Sequence, residues 1–203
     1  MKKPDVVVFD LGKVLLDFDY GIVARKLAAG GKATVEDVHR FINQSPLLFR
    51  YETGLITKEE FFEAIRKETA FKGDLVEFGE IFGDIFSPID EMIGLQAALK
   101  RKGVPTFIFS NTNELAMVHI RKTYPFFKGF DGYILSYEHG AMKPHAKLYE
   151  VVEKHTGKTK EQILYLDDRA ENIEAGAARG WQVILQESPE KTLAVMKRFG
   201  FAD

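Results

Sequence analysis

The run Val6-Val7-Val8-Phe9 constrains this chain more than any other feature. Three β-branched residues and an aromatic, with no polar alternation, make a strand apolar on both faces. Such a strand belongs inside a parallel sheet covered by helices on each side. It ends abruptly at Asp10-Leu11-Gly12-Lys13. A strand of this kind needs partners, and the second half of the chain supplies them. After Pro88 the pattern predicts a helix from about Asp90 to Lys102, stopped by Gly103. Strands follow at Thr106 to Phe109, Tyr133 to Leu135, Ile163 to Leu166 and Gln182 to Leu185. Helices separate them at Glu114 to Tyr124, His145 to His155 and Ala170 to Arg179, with a last one from Pro189 to Phe199. Alternation of this kind predicts an α/β fold, a three-layer Rossmann-like parallel sheet.

Between the first strand and this alternation, from about Tyr20 to Phe86, the spacing is helical throughout. Thr57 and Glu60 form a capping box, and Phe61, Phe62, Ile65 and Thr69 mark the buried face that follows. Thr34 is placed to cap a helix from Val35 to about Asn43. Leu75, Phe78, Ile81, Phe82 and Ile85 recur at helical spacing in a third segment. No strand-like run interrupts the stretch, so the expectation is an inserted all-helical cap, 19–88, in a core made of 1–18 and 89–203.

Composition narrows the chemistry. The 203 residues are 45% hydrophobic and 29% charged, with a formal net charge of -2 and no basic block, which argues against nucleic acid as a partner. There is no cysteine, so disulfides, thiolate metal sites and a cysteine nucleophile are excluded. No apolar stretch approaches the length of a membrane span, and no signal peptide is legible. A cytoplasmic monomer or homodimer is the default expectation.

In open parallel sheets, ligands bind beyond the carboxyl ends of the strands. The residues there are Asp10, Ser110-Asn111-Thr112-Asn113, the loop leading to Lys143, and Asp167-Asp168. Each has an ordinary reading alone. Asp and Ser end strands as turn or cap residues, and a lysine before a proline is commonly solvated. Two adjacent carboxylates beside a buried strand repel each other unless a cation or hydrogen bonds stabilise them. As a set at four strand ends they supply an ionised nucleophile, hydroxyl and backbone donors, a positive charge and oxygen ligands for magnesium. Those are the requirements of phosphoryl transfer.

The motifs themselves resemble those of the haloacid dehalogenase superfamily. Val6 to Val14 around Asp10 is similar to its first motif, Phe109-Ser110-Asn111 to the second, Met142-Lys143-Pro144 to the third, and Leu166-Asp167-Asp168 through Asn172 to the fourth. The segment Asp10 to Asp19 and the tetrad Ser110 to Asn113 look most like the α-glucose-1-phosphatase branch. The resemblance implies a magnesium-dependent phosphomonoesterase acting on a small phosphorylated metabolite, a sugar phosphate, through an aspartyl-phosphate. By the same resemblance Asp10 is nucleophile and metal ligand, and the Gly12 carbonyl is a second ligand. Ser110 and the Asn111 N–H hold the phosphoryl group, and Lys143 steadies Asp10 and the phosphate. Asp168 ligates the metal, with Asp167 acting through water. The residue two after the nucleophile is aspartate in most phosphatases of the family and is Gly12 here. That leaves the acid/base unassigned, with Asp17 and Asp19 as candidates. Two alternatives stand beside this reading: a dehalogenase of 2-haloacids, which also lacks that second aspartate, and a non-catalytic phospho-ligand-binding protein. In the cap, Phe49-Arg50-Tyr51-Glu52 reads as a stretch between helices, where Arg50 is a candidate substrate contact or a solvated side chain.

Overall fold

The computed structural model describes residues 2–29, 33–43 and 45–201; the expected outer limits of the core, residues 1 and 203, lie outside them. The chain opens with β1 (Val6–Phe9) and β2 (Leu16–Phe18) and then runs through five helices. These are α1 (Tyr20–Ala29), α2 (Val35–Ile42), α3 (Pro46–Glu52), α4 (Lys58–Thr69) and α5 (Leu75–Gly83). It returns through β3 (Phe86–Pro88) and α6 (Asp90–Arg101) to β4 (Thr106–Ser110), α7 (Glu114–Thr123), β5 (Gly132–Leu135), α8 (Ser136–His139) and α9 (Ala146–Thr156). It ends with β6 (Ile163–Asp167), α10 (Ala170–Ala178), β7 (Gln182–Leu185) and α11 (Pro189–Arg198). Among the described residues, no helix is long and apolar enough to cross a membrane.

Five strands form one parallel sheet in the order β5-β4-β1-β6-β7. Strand β1, the most apolar, lies at its centre. Side-chain alternation sends Val7, Phe9, Ile108, Leu135, Leu164 and Leu166 to one face, under α6, α7 and α11. Val6, Val8, Phe109, Ile134, Ile163 and Tyr165 go to the other, against Leu148, Tyr149 and Val152 of α9. Both faces are therefore buried, as the unbroken apolar run requires. Gly176 of α10 permits close packing, since a Cβ there would sit 3.2 Å from the Tyr165 ring. Gly180 does not share that face; it lies beyond the helix at φ +81.

The inserted helices bury a second apolar cluster of their own, built around Val23, Leu27, Ile42, Phe61, Phe78 and Phe82. The Thr57–Glu60 capping box and the Thr34 cap form as expected. Two expectations fail here. The helical reading up to Phe86 overruns, because α5 stops at Gly83 and Phe86 belongs to a strand. And Phe49 to Glu52 are not a connection but the body of α3, which Ser45 caps and Pro46 begins.

The unexpected strands β2 and β3 pair antiparallel, Leu16 with Pro88 and Phe18 with Phe86. The two passages between core and cap thus run side by side. The cap is also moored at its far end. Tyr51 Oη accepts from Leu115 N at 3.1 Å, Ser136 Oγ donates to the Glu52 carbonyl at 2.5 Å, and Lys58 pairs with Glu114 at 2.7 Å. Gly54, at φ +74, comes so close that a Cβ would lie 2.2 Å from the Tyr137 carbonyl oxygen. Gly103 has the same backbone conformation, φ +72, with nothing within 4 Å of its would-be Cβ. Both should lose about 1 kcal/mol as alanine from left-handed strain. Gly54→Ala should lose a further ~1–3 kcal/mol from overpacking against α8. Urea unfolding of the two variants side by side measures the difference.

Candidate active site

The strand ends converge on a cavity of about 880 Å³ between sheet and cap, lined by Asp10, Gly12, Ser110, Asn111, Lys143 and Asp168. All six residues expected at the site therefore border one space. At its base the Lys143 ammonium is buried and fully engaged. It lies 3.0 Å from Asp10 Oδ1, 2.6 Å from Asp167 Oδ2 and 2.9 Å from the Phe109 carbonyl. An ammonium has three protons. A direct bond to a phosphate would require one of these contacts to open, so steadying Asp10 is the part of its expected role visible here.

Asp10 is differentiated oxygen by oxygen. Oδ1 accepts from Leu11 N at 2.6 Å as well as from Lys143, whereas Oδ2 accepts no hydrogen bond among the described residues. Burial pushes its carboxyl well above the usual range; Lys143 pulls it back, and Asp167 and Asp168 add to the rise. Asp167 is the opposite case. It is fully buried, yet Lys143, the Tyr165 hydroxyl, Arg169 N at 2.8 Å and the Asn172 amide at 3.0 and 3.1 Å all donate to it. Burial alone would raise its pKa, but Lys143 and these donors hold it below the ordinary value. Asp168 receives no side-chain hydrogen bond among the described residues, and burial and Asp167 raise its carboxyl. Asp10, Asp167 and Asp168 each bring one oxygen within 4.8 Å of the others. Three carboxylates are a hard oxygen donor set, suited to a small divalent cation. Of the fourth-motif pair, Asp168 keeps oxygens for a ligand while Asp167 is saturated.

Asn111 has a structural duty in its side chain. Its Oδ1 accepts from Lys143 N at 2.7 Å and its Nδ2 donates to the Lys143 carbonyl at 3.1 Å, which locks the third-motif loop onto the second. Ser110 is buried, with a long 3.3 Å contact to the Asn111 carbonyl. Gly12 leaves no room for a side chain as packed, since a Cβ would stand 2.8 Å from the Phe18 ring. That ring is held by Tyr20, Phe86 and the Lys13 ammonium.

The acid/base candidates fare differently. Asp17 is exposed, pairs with Lys13 and does not border the cavity; Asp19 borders it, but Gly21 N at 2.7 Å and Arg25 hold it. Hydrogen bonds from Lys13 and Gly21 respectively depress their pKa values. Arg50 is exposed and not part of the wall, whereas Phe49 and Glu52 of the same helix are. Sequence reasoning missed Glu52, Phe18 and Tyr165. The Ser45-Pro46 helix start was the one available signal for Glu52, because it places that residue at a helix end.

With this geometry in hand, comparison with known proteins identifies the class. Residues 4–180 match the family model of the haloacid dehalogenase-like hydrolases, so the chain belongs to that family. It is similar to a sesquiterpene phosphatase of Aspergillus oryzae, 25% identical over 175 residues, covering 85% of each chain. It is also similar to a D-ribitol-5-phosphate phosphatase of Bacteroides thetaiotaomicron, 22% identical over 193 residues, covering 90% of this chain and 91% of that one. Among solved structures, a family enzyme of B. thetaiotaomicron in complex with magnesium and inorganic phosphate superposes with a TM-score of 0.77. It is 21% identical, over 89% of this chain and 93% of the other.

Removing the buried ammonium tests the electrostatic reading. Lys143→Met leaves two carboxyls buried without their cation and should cost about 3–5 kcal/mol. The cost should grow with pH. In the variant Asp167 joins Asp10 in having a folded pKa above its unfolded value. Stability is then complete only below about pH 4 and falls as pH rises toward the folded pKa. Urea unfolding of both proteins, metal-free, from pH 5 to 8 should show the gap widening.

Proposed function

We propose that this hydrolase is a magnesium-dependent phosphomonoesterase that works through an aspartyl-phosphate on Asp10. The observation that carries the reading is the state of Asp10 at the cavity wall: one oxygen is fixed by Lys143 and Leu11 N, and the other accepts no hydrogen bond among the described residues. An anchored carboxylate with one free oxygen is arranged for nucleophilic attack rather than for structure. The clustered carboxylates of Asp10 and Asp168 suit magnesium, with the Gly12 carbonyl as the further ligand that the family resemblance implies; when bound, the ion would supply positive charge to the phosphoryl oxygens. Two relatives named as phosphatases support the same reading.

In this reaction Asp10 Oδ2 attacks phosphorus as the bond to the leaving oxygen breaks. Ser110 and the Asn111 N–H hold the transferring group. Water then attacks the phosphorus, releasing inorganic phosphate and restoring the carboxylate. Lys143 keeps Asp10 oriented and favours its ionised form. The helical cap, 19–88, covers the cavity and excludes bulk water during the transfer. Sugar phosphates are the proposed substrate class, on the likeness of the first and second motifs to the α-glucose-1-phosphatase branch. The saturated acid Asp167 beside the open Asp168 is a poor place for a substrate carboxylate and halide, which favours phosphatase over dehalogenase chemistry.

Phosphate release from a panel of sugar, polyol and isoprenoid monophosphates, with magnesium and with a chelator, tests the proposal. Turnover should require magnesium and fall at least about 10³-fold in Asp10→Asn, since removing a nucleophile leaves only binding and oxyanion stabilisation. A folded, magnesium-binding protein that turns over no ester would instead fit a phospho-ligand-binding role.

A further inference from the structure

The phosphatase reading leaves one chemical need unmet. The leaving oxygen must gain a proton and the attacking water must lose one, and the usual position for that carboxylate is Gly12. The Phe18 ring fills the space a side chain there would occupy, so the group must come from elsewhere on the cavity wall. Among the described residues, five carboxyls border the cavity: Asp10, Asp19, Glu52, Asp168 and Glu171. Asp10 and Asp168 belong to the reacting cluster. Asp19 is paired with Arg25, and Glu171 with Arg169 at 2.7 Å. Glu52 remains, with no salt-bridge partner among the described residues.

Its placement is specific. Glu52 is the last residue of α3, on the cap side of the cavity. Its carbonyl is bound by Ser136 Oγ, and the same hydroxyl accepts from Thr112 N at 2.9 Å, two residues beyond Ser110. The end of α3 is thereby tied to the loop that follows Ser110. The side chain is half-buried, with Asn113, Arg169 and Tyr20 close enough to pull its pKa down against the effect of burial. The charged and titratable groups facing it are Arg169, from the loop after β6, and Tyr20 of α1. The carbonyl end of a helix disfavours a negative charge.

We infer that Glu52 is the general acid and base of this reaction, supplied by the cap in place of the missing aspartate. Protonated, it gives its proton to the ester oxygen as the bond from phosphorus breaks, so the alcohol leaves neutral and Glu52 becomes a carboxylate. That carboxylate then takes a proton from the water whose oxygen bonds to phosphorus. The phosphate leaves, Asp10 is restored, and Glu52 is again protonated. Burial pushes the Glu52 carboxyl up to about 7, against the pull of Asn113, Arg169 and Tyr20, so both forms exist near neutral pH.

This inference rests on the phosphatase reading, and the experiment separates the two. Wild type and Glu52→Gln are compared on a sugar phosphate, whose alkoxide needs a proton to leave, and on para-nitrophenyl phosphate, whose phenolate does not. With the sugar phosphate, kcat in Glu52→Gln should fall about 10²–10⁴-fold without a burst. With the aryl ester the first step should survive and the second should slow. The variant should then release about one equivalent of nitrophenol per site in a burst before slow turnover. The limb of the kcat/KM profile near pH 7 should disappear with the carboxyl, and formate should partly rescue Glu52→Ala. Equal losses on both esters with no burst, or a raised KM at unchanged kcat, would overturn the assignment while leaving the phosphatase intact. A wild type inert toward every ester would overturn both.

Discussion

The Lys143 ammonium is the contact on which the site depends. Its three bonds reach the end of β1 at Asp10, of β4 at Phe109 and of β6 at Asp167. Those are three adjacent strands of the sheet. A buried cation is tolerable only when each proton has an acceptor, and two buried carboxylates side by side only when a cation divides them. The surrounding polar groups follow from that demand. Tyr165 and Asn172 complete the shell of Asp167, and Asn111 clasps the backbone of Lys143 from both sides. No buried side-chain nitrogen or oxygen among the described residues is left without a partner.

Four carboxyl groups of similar intrinsic acidity thereby acquire different properties. Asp167 is saturated with donors and kept ionised. Asp10 is anchored by one oxygen and open at the other. Asp168 keeps its oxygens for a ligand. Glu52, across the cavity, has Arg169 nearby but no salt bridge among the described residues, and is poised to exchange a proton. The differences arise in the neighbours, as they do wherever pairs of acids serve opposite roles.

Much of this was legible in the chain. The apolar runs of β1, β4, β6 and β7 and the glycine stops after α6 and α9 fixed the core to within a residue or two, because buried parallel strands and helix ends have strong local signatures. The segments holding Asp10, Ser110, Lys143 and Asp168 were legible because such sheets bind ligands beyond their strand ends, and the preference for Asp168 over Asp167 came from the family resemblance. What escaped was short or non-local. β2 and β3 are three residues each, too brief for periodicity, and exist only because the chain leaves and re-enters the core at adjacent points. The importance of Tyr165 depends on its hydroxyl turning to Asp167, two residues on in the same strand. Glu52 is an ordinary helical glutamate until α3 is packed over the loop after β4.

The packing of Phe18 over Gly12 also couples two positions of the chain. A Cβ at position 12 would meet a ring already held by Tyr20, Phe86 and Lys13. A side chain can enter there only as the ring moves, so what one position tolerates depends on what the other holds, and substitutions at the two should not add.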